Sequence, residues 1–141
     1  MTSAPNTFRS ICPISRSLDI LGDKWTLLII RDMIFFKKST FKDFSSSQEK
    51  IATNILSNRL SRLETMEIIT KSKSKENRRV NIYKLTDKGL QLLPVLLELS
   101  LWFATFSSLD KDLDHIQVMF TQYKEDRESF VKSMIENYRI E

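Results

Sequence analysis

The first two-thirds of the chain alternates between helical and strand-like spacing of its apolar positions. Leu18 and Leu21 share one side of a predicted first helix over residues 14–21, with Gly22 ending it. A second helix is predicted from near Asp23 or Lys24 to about residue 36. Asp23 is its candidate N-cap, and Trp25, Leu28, Ile29 and Met33 recur at helical spacing. Its apolar residues run around much of the circumference, which places it at the centre of a core. A basic turn, Lys37 and Lys38, follows, and Ser39 or Thr40 can cap a short third helix over residues 41–44. The fourth helix is expected over about residues 52–66, with Ala52 where a cap would serve and Thr53 as the alternative start. Leu56, Leu60 and Leu63 form its buried face, with Ile55 and Met66 at the edge. Its outward side carries Thr53, Asn54, Ser57, Asn58, Ser61 and Arg62.

The period then shortens to two. Residues 68–72 and 80–85 read as strands, the second with Val80 and Ile82 on one face and Tyr83 and Leu85 on the other. Lys73, Lys75, Arg78 and Arg79 crowd the hairpin tip between them. Helical spacing returns over residues 89–106, with Pro94 in the first turns, where proline is tolerated. Leu90, Leu93, Leu97 and Leu101 make one stripe. Leu96, Leu99, Trp102, Phe103 and Phe106 widen it beyond what one small domain covers, so this helix is expected to pair two copies of the chain through Leu97, Leu101, Trp102 and Phe106. A last amphipathic helix is expected over residues 112–138, through Ile116, Met119 or Phe120, Tyr123, Phe130, Met134 and Ile135.

The expected fold class is mainly α with a small β-hairpin. Its architecture is a winged helix-turn-helix with a C-terminal dimerisation helix. Residues 1–106 form the DNA-binding domain including the first C-terminal dimerisation helix, and residues 107–141 an additional helix packed on the same domain or dimer. Only two glycines and three prolines interrupt the 141 residues, consistent with a mostly helical chain.

Charge sharpens this picture. The net charge is only +4, but residues 37–88 hold 13 basic and 6 acidic side chains, whereas residues 107–141 hold 5 and 8. A local basic surface attracts polyanions by counterion release. Asn pairs bidentately with adenine, Ser and Thr reach base edges or phosphates, and Arg suits guanine or phosphate. A helix face built for stability alone would instead favour Glu, Lys, Gln and Ala. A helix with this polar face, followed by a basic hairpin, suits one element in a DNA major groove and another on the flanking backbone. Lys37, Lys38, Thr53, Asn54, Ser57, Asn58, Ser61, Arg62, Lys73, Lys75, Arg78 and Arg79 are the candidate contacts to double-stranded DNA. The competing reading is a protein-interaction adaptor that keeps the fold without reading sequence.

Other chemistry is sparse. His115 is the only histidine and has no Cys or Glu at metal-ligand spacing, and no glycine loop cradles phosphate. Neither an enzyme nor a cofactor or metal is expected. The N-terminal MTSAPNTFRS has no apolar run, and the apolar stretch at residues 92–106 is shorter than the roughly 20 residues of a membrane span. A cytoplasmic protein with no membrane partner is expected. The single cysteine, Cys12, excludes an intramolecular disulfide. It lies near Arg9 and Arg16 and before a helix N-terminus, both of which favour thiolate.

The chain resembles the HxlR-type winged helix regulators of bacteria. The resemblance rests on CPISRSLDILGDKW at residues 12–25, LSNRLSRLE at 56–64, YKLTDKG at 83–89 and LLPVL followed by Trp102, and it covers about residues 11–106. It implies a homodimeric, operator-specific transcription regulator with N- and C-terminal dimerisation helices; twofold symmetry leads to an inverted-repeat operator, and a repressor is expected. It also implies a recognition helix from about Ala52, a wing from Lys73 to Arg79, and in several members an electrophile- or oxidant-responsive cysteine, here Cys12. Three positions depart from the family pattern. Asp23 replaces a glycine before Lys-Trp, Ala52 stands where a capping serine is common, and Glu67 takes the glycine position after the recognition helix.

Overall fold

In a computed structural model the described residues are 7–107 and 113–140. The expected leader-free N-terminus falls largely on residues 1–6, and the expected start of the last helix, Asp112, also lies outside the described residues. The chain divides into two compact units, one up to Leu90 and one from Gln91. The long apolar helix from residue 93 lies in the second of these.

The first unit contains α1 (Pro13–Leu21), α2 (Thr26–Phe35), α3 (Phe41–Ser45), α4 (Thr53–Thr65), β1 (Ile69–Lys73), β2 (Asn81–Leu85) and α5 (Asp87–Leu90). Its core is built around α2, where Ile29, Ile30, Met33 and Ile34 are buried, as the continuous apolar circumference requires. Leu56, Leu60 and Leu63 of α4 are buried as well, while the polar residues between them are not. Leu18, expected inward, is exposed, and α1 buries none of its residues.

Local chemistry sets the element ends. Asp23 Oδ1 accepts from the backbone N–H groups of Trp25 at 2.9 Å and Thr26 at 3.0 Å, so it caps α2 from three residues before Thr26. Thr40 and Asp43 form a reciprocal capping box on α3. Ala52 occupies the N-cap of α4 with no side-chain bond, and Thr53 is the first helical residue, not the cap.

The end of α4 is a full Schellman turn. Glu67 N–H donates to the Glu64 carbonyl and Ile68 N–H to the Leu63 carbonyl, at 2.9 and 3.0 Å. Glu67 sits at φ 59, the left-handed region that glycine occupies at least cost. The turn holds because its carbonyl accepts from Thr86 Oγ1 at 2.6 Å, while Leu63 and Ile68 are buried. Glu67→Gly is expected to raise unfolding stability by about 0.5–1 kcal/mol, the strain relieved less the entropy gained by the unfolded chain. Denaturant unfolding checks this, and a loss of stability would show that the Glu67 side chain outweighs its backbone strain.

Asp23 also makes a pH prediction. Partial burial pushes its carboxyl up, but hydrogen bonds from the Thr26 hydroxyl, the Trp25 N–H, Arg59 and the Thr26 N–H outweigh this and hold it at about 2, below the usual 3.8. A carboxylate whose folded-state value is depressed stabilises the fold above its unfolded value, and that contribution disappears as pH falls. Unfolding stability should therefore drop by about 2 kcal/mol from this group between pH 4 and about pH 2. Asp23→Asn should flatten that part of the stability curve; an unchanged acid slope would assign it elsewhere.

β1 and β2 pair antiparallel with Ile69 opposite Leu85 and Lys71 opposite Tyr83. Tyr83 and Leu85 face inward, whereas β1 buries only Ile69. The hairpin is fixed to the helices by the Tyr83 N–H, which donates to the Ser39 carbonyl at 2.7 Å. Gly89 of α5 lies so close that an added Cβ would stand 2.3 Å from the Ile68 carbonyl oxygen, so only glycine fits.

The second unit contains α6 (Leu93–Phe106), α7 (Asp114–Glu125) and α8 (Arg127–Ile140). The helix expected over residues 89–106 is thus broken at 91–92, and Pro94 lies in the first turn of α6. Counted through that break as one helix of 20 residues, 87–106 contain an 18-residue stretch of mean hydropathy 1.5, long and apolar enough by length and composition alone to cross a membrane. The extra length comes from residues 87–91, outside the apolar stretch at 92–106. The expected last helix is two helices. Asp126 adopts an extended conformation, and its Oδ1 accepts from Ser129 N–H at 3.1 Å, so a capping side chain ends one helix and starts the next. Buried Tyr123 donates its hydroxyl to Glu98 Oε1 at 2.7 Å and meets Phe130 edge-on. Burial and that bond to a carboxylate push the Tyr123 hydroxyl up from its ordinary value.

Candidate nucleic-acid interface

α3 and α4 are joined by residues 46–52, and a buried charge cluster secures the connection. Asp32, only 2% exposed, accepts from Arg31 at 2.7 Å and from the Ser47 hydroxyl, and Lys38 Nζ lies 3.6 Å away. Arg31 also grips Glu49 with two bonds of 2.8 Å. The bond from Arg31 outweighs the effect of burial and lowers the Glu49 carboxyl to about 2. Nothing in the periodicity pointed to this cluster, because its members are scattered from residue 31 to residue 49. The ammonium of Lys38, a candidate DNA contact, is directed inward, onto Ser47 Oγ at 3.1 Å. Lys37 is exposed at φ 56, directly after α2.

The N-terminal half of α4 is different. Thr53, Asn54 and Ser57 are exposed, and Asn58 and Ser61 are half-buried beside them. Arg62, expected on the outward face, is turned inward. Its Nη2 donates to the Asp19 carbonyl of α1 at 2.6 Å, and its Nε is buried without a partner. Arg59, which sequence reasoning passed over, donates from Nε to Asp23 at 3.0 Å. These two arginines fix α4 against α1 and the residues before α2.

At the hairpin tip Lys73, Lys75, Arg78 and Arg79 are all exposed and have no ion-pair partner among the described residues. The loop keeps its shape without them. The Ser74 N–H donates to Val80 O at 2.8 Å, and Asn77 Oδ1 accepts from Arg79 N–H at 3.1 Å. Four cations on a loop whose own hydrogen bonds are satisfied leave their charge to solvent or an external anion.

The expected pairing surface separates into two kinds of residue. Leu97 and Leu101 are buried within the chain at 0% and 9% exposure, so they are core residues and Leu97 offers a partner no surface. Trp102 and Phe106 are 66% and 78% exposed, beside exposed Val95, Leu99 and Phe103. Helical spacing put both sets on one wide stripe, but burial divides it into an inner and an outer face. Ile11, Ile14 and Leu18 form a second exposed apolar set along α1. Cys12 is exposed at the N-cap of α1.

A capped helix pair, a following helix with an exposed polar N-terminal half, and a two-stranded basic hairpin tied to them define a winged helix-turn-helix protein. Residues 20–111 match the HxlR-like helix-turn-helix family, and the chain belongs to it. It is similar to the HTH-type transcriptional regulator YdeP of Bacillus subtilis, at 33% identity over 64% of this chain and 70% of that one. Similarity to YodB of the same organism is 32% over 69% of this chain and 87% of YodB. The reduced YodB structure superposes with a TM-score of 0.56, at 30% identity over 70% of this chain and 97% of YodB. The oxidised form of the redox regulator HypR gives 0.59, at 25% identity over 70% of this chain and all of HypR. The protein is a transcriptional regulator of the helix-turn-helix type, not an enzyme.

Proposed function

We propose that the protein binds an inverted-repeat operator as a homodimer and represses transcription by occupying it. The N-terminal half of α4 enters the major groove, and the basic wing lies on the flanking backbone. The observation that carries this reading is the division of labour in the first unit. Short hydrogen-bonding side chains are exposed on a helix held rigidly from behind, and unpaired cations are gathered on a separate, anchored hairpin. Base readout needs the first arrangement and backbone neutralisation the second. Thr53, Asn54, Ser57, Asn58 and Ser61 are the base-side candidates. Lys73, Lys75, Arg78 and Arg79 are the phosphate-side candidates, joined by Lys37. Lys38 and Arg62 act from within, holding the elements that present them.

The dimer is formed through the outer face of α6, centred on Trp102 and Phe106, with the exposed apolar side of α1 as the remaining unpartnered surface. Selection of bound duplexes from a random pool tests the whole reading. It should return an inverted repeat with half-site centres about one helical turn apart. A pool with no enriched sequence would favour the adaptor reading and sink this one.

Control is assigned to Cys12. YodB has been captured in diamide-treated and quinone-bound forms, and Cys12 here is exposed at the start of α1, whose Asp19 carbonyl receives Arg62 of α4. Its thiolate adds to a quinone carbon, or two Cys12 thiols join across the dimer as diamide takes up their two electrons and two protons. Either reagent should weaken operator binding by the unaltered chain and leave Cys12→Ser unaffected. Equal loss in both would remove Cys12 from the mechanism.

A further inference from the structure

The amide of Asn58 is held in one orientation by a relay that begins outside α4. Arg59 Nη1 donates to the Asn58 side-chain oxygen at 2.6 Å, while Arg59 Nε donates to Asp23 Oδ1 at 3.0 Å. A guanidinium has donors only, so the atom of Asn58 that faces it must be the carbonyl oxygen, and the NH₂ group must point away. Arg59 cannot swing freely to release it. Its side chain is 23% exposed, and Asp23 is itself fixed by the Trp25 and Thr26 N–H groups and the Thr26 hydroxyl. The charge that holds Arg59 persists across the working pH range, since the same bonds keep the Asp23 carboxyl ionised. The Asn58 NH₂ has no partner among the described residues. The Nε of Arg62 is the buried side-chain nitrogen or oxygen lacking a partner there, so the half-buried Asn58 keeps its NH₂ open to solvent.

Asn54 lies one turn earlier on the same side of α4, is exposed, and its side chain carries no such bond. Free asparagine reads adenine with both ends of its amide, accepting from N6–H and donating to N7. The Arg59 guanidinium occupies one lone pair of the Asn58 carbonyl oxygen, and its N–H donors crowd and repel the N6–H donor of adenine on that side. What Asn58 presents is a donor, and the base edge with two adjacent acceptors is guanine, at N7 and O6.

We infer that Asn58 is a specificity-determining residue set by the Asp23–Arg59 relay to favour a G·C pair, while the unconstrained Asn54 favours an A·T pair. This rests on the operator-binding reading above and adds which base one of its contacts selects. Arg59 is a positioning residue: it acts through Asn58.

The test measures binding of the full chain to duplexes carrying each base pair at every half-site position. The position belonging to Asn58 is the one whose preference disappears in Asn58→Ala. There the unaltered chain should prefer G·C over A·T by about fivefold to tenfold. Arg59→Lys retains a cation for Asp23 but lacks the fork that reaches both partners. In that variant the preference should fall to parity or turn to A·T, with preferences at other positions unchanged. An A·T preference in the unaltered chain would overturn the inference, as would an Asn58→Ala variant that alters no position or an Arg59→Lys variant that leaves the G·C preference intact. If no duplex of any sequence is favoured, the operator reading fails together with it; selective binding without this pattern removes the relay alone.

Discussion

Replacing Trp102 and Phe106 together by glutamate is expected to give a monomer that binds an inverted repeat about 10²–10⁴-fold more weakly than the unaltered chain. The two rings are 66% and 78% exposed and stand beside Val95, Leu99 and Phe103, themselves 41–55% exposed. Such a contiguous apolar face on a soluble domain marks an interaction surface. When two reading heads are joined, the second half-site is bound at the effective concentration set by the link, and breaking the link removes that gain without touching a residue that meets DNA. Affinity for an isolated half-site should therefore stay nearly constant while affinity for the full repeat collapses. Sedimentation and titration with half and full sites measure both. A variant that stays dimeric with full affinity would place the interface elsewhere. Leu97→Ala is a poor alternative test, since that residue is fully buried and its loss would instead destabilise the chain by about 2–5 kcal/mol.

The second large effect lies at the wing. Arg78→Ala with Arg79→Ala should weaken binding to every duplex by roughly tenfold or more near 0.1 M salt, with no change in sequence preference. The dependence of log affinity on log salt should become shallower by about 2, one for each phosphate that the variant no longer neutralises. Stability should barely move, because both side chains are exposed and the loop is closed by Ser74, Asn77 and Val80. Asn54→Ala should show the converse pattern, a changed preference at one position with the salt slope intact. An unchanged salt slope in the double variant would mean that the wing does not lie on the backbone.

Much of the first unit was legible from local pattern. Leu56, Leu60 and Leu63 identified the buried face of α4, Ser39 or Thr40 the cap of α3, and the Lys/Arg tip the position of the hairpin turn. Each of these depends on residues within one or two turns of each other, where period and propensity act directly. Asp23 was legible as a cap for the same reason. The C-terminal unit was less so. The amphipathic period ran unbroken from residue 112 to residue 138, and only the conformation of Asp126 shows that a capping side chain divides it.

The sequence by itself therefore determined the order of elements up to the hairpin, the apolar side of α2 and α4, the family, and which residue types were available to meet DNA. It also flagged Glu67 as the odd residue in a glycine position, and only the structure shows that its φ of 59 keeps the left-handed geometry of that glycine. Tertiary structure decided which side chains remain free to act. Arg59 meets Asp23 across 36 positions and Arg62 meets the Asp19 carbonyl across 43, so helical spacing around residues 59 and 62 contains no trace of either bond. Lys38 turns inward onto Ser47, and Leu97 is fully buried. The physical reason is that periodicity states which way a side chain starts from its helix, whereas a long polar side chain ends wherever its best hydrogen-bond partner lies.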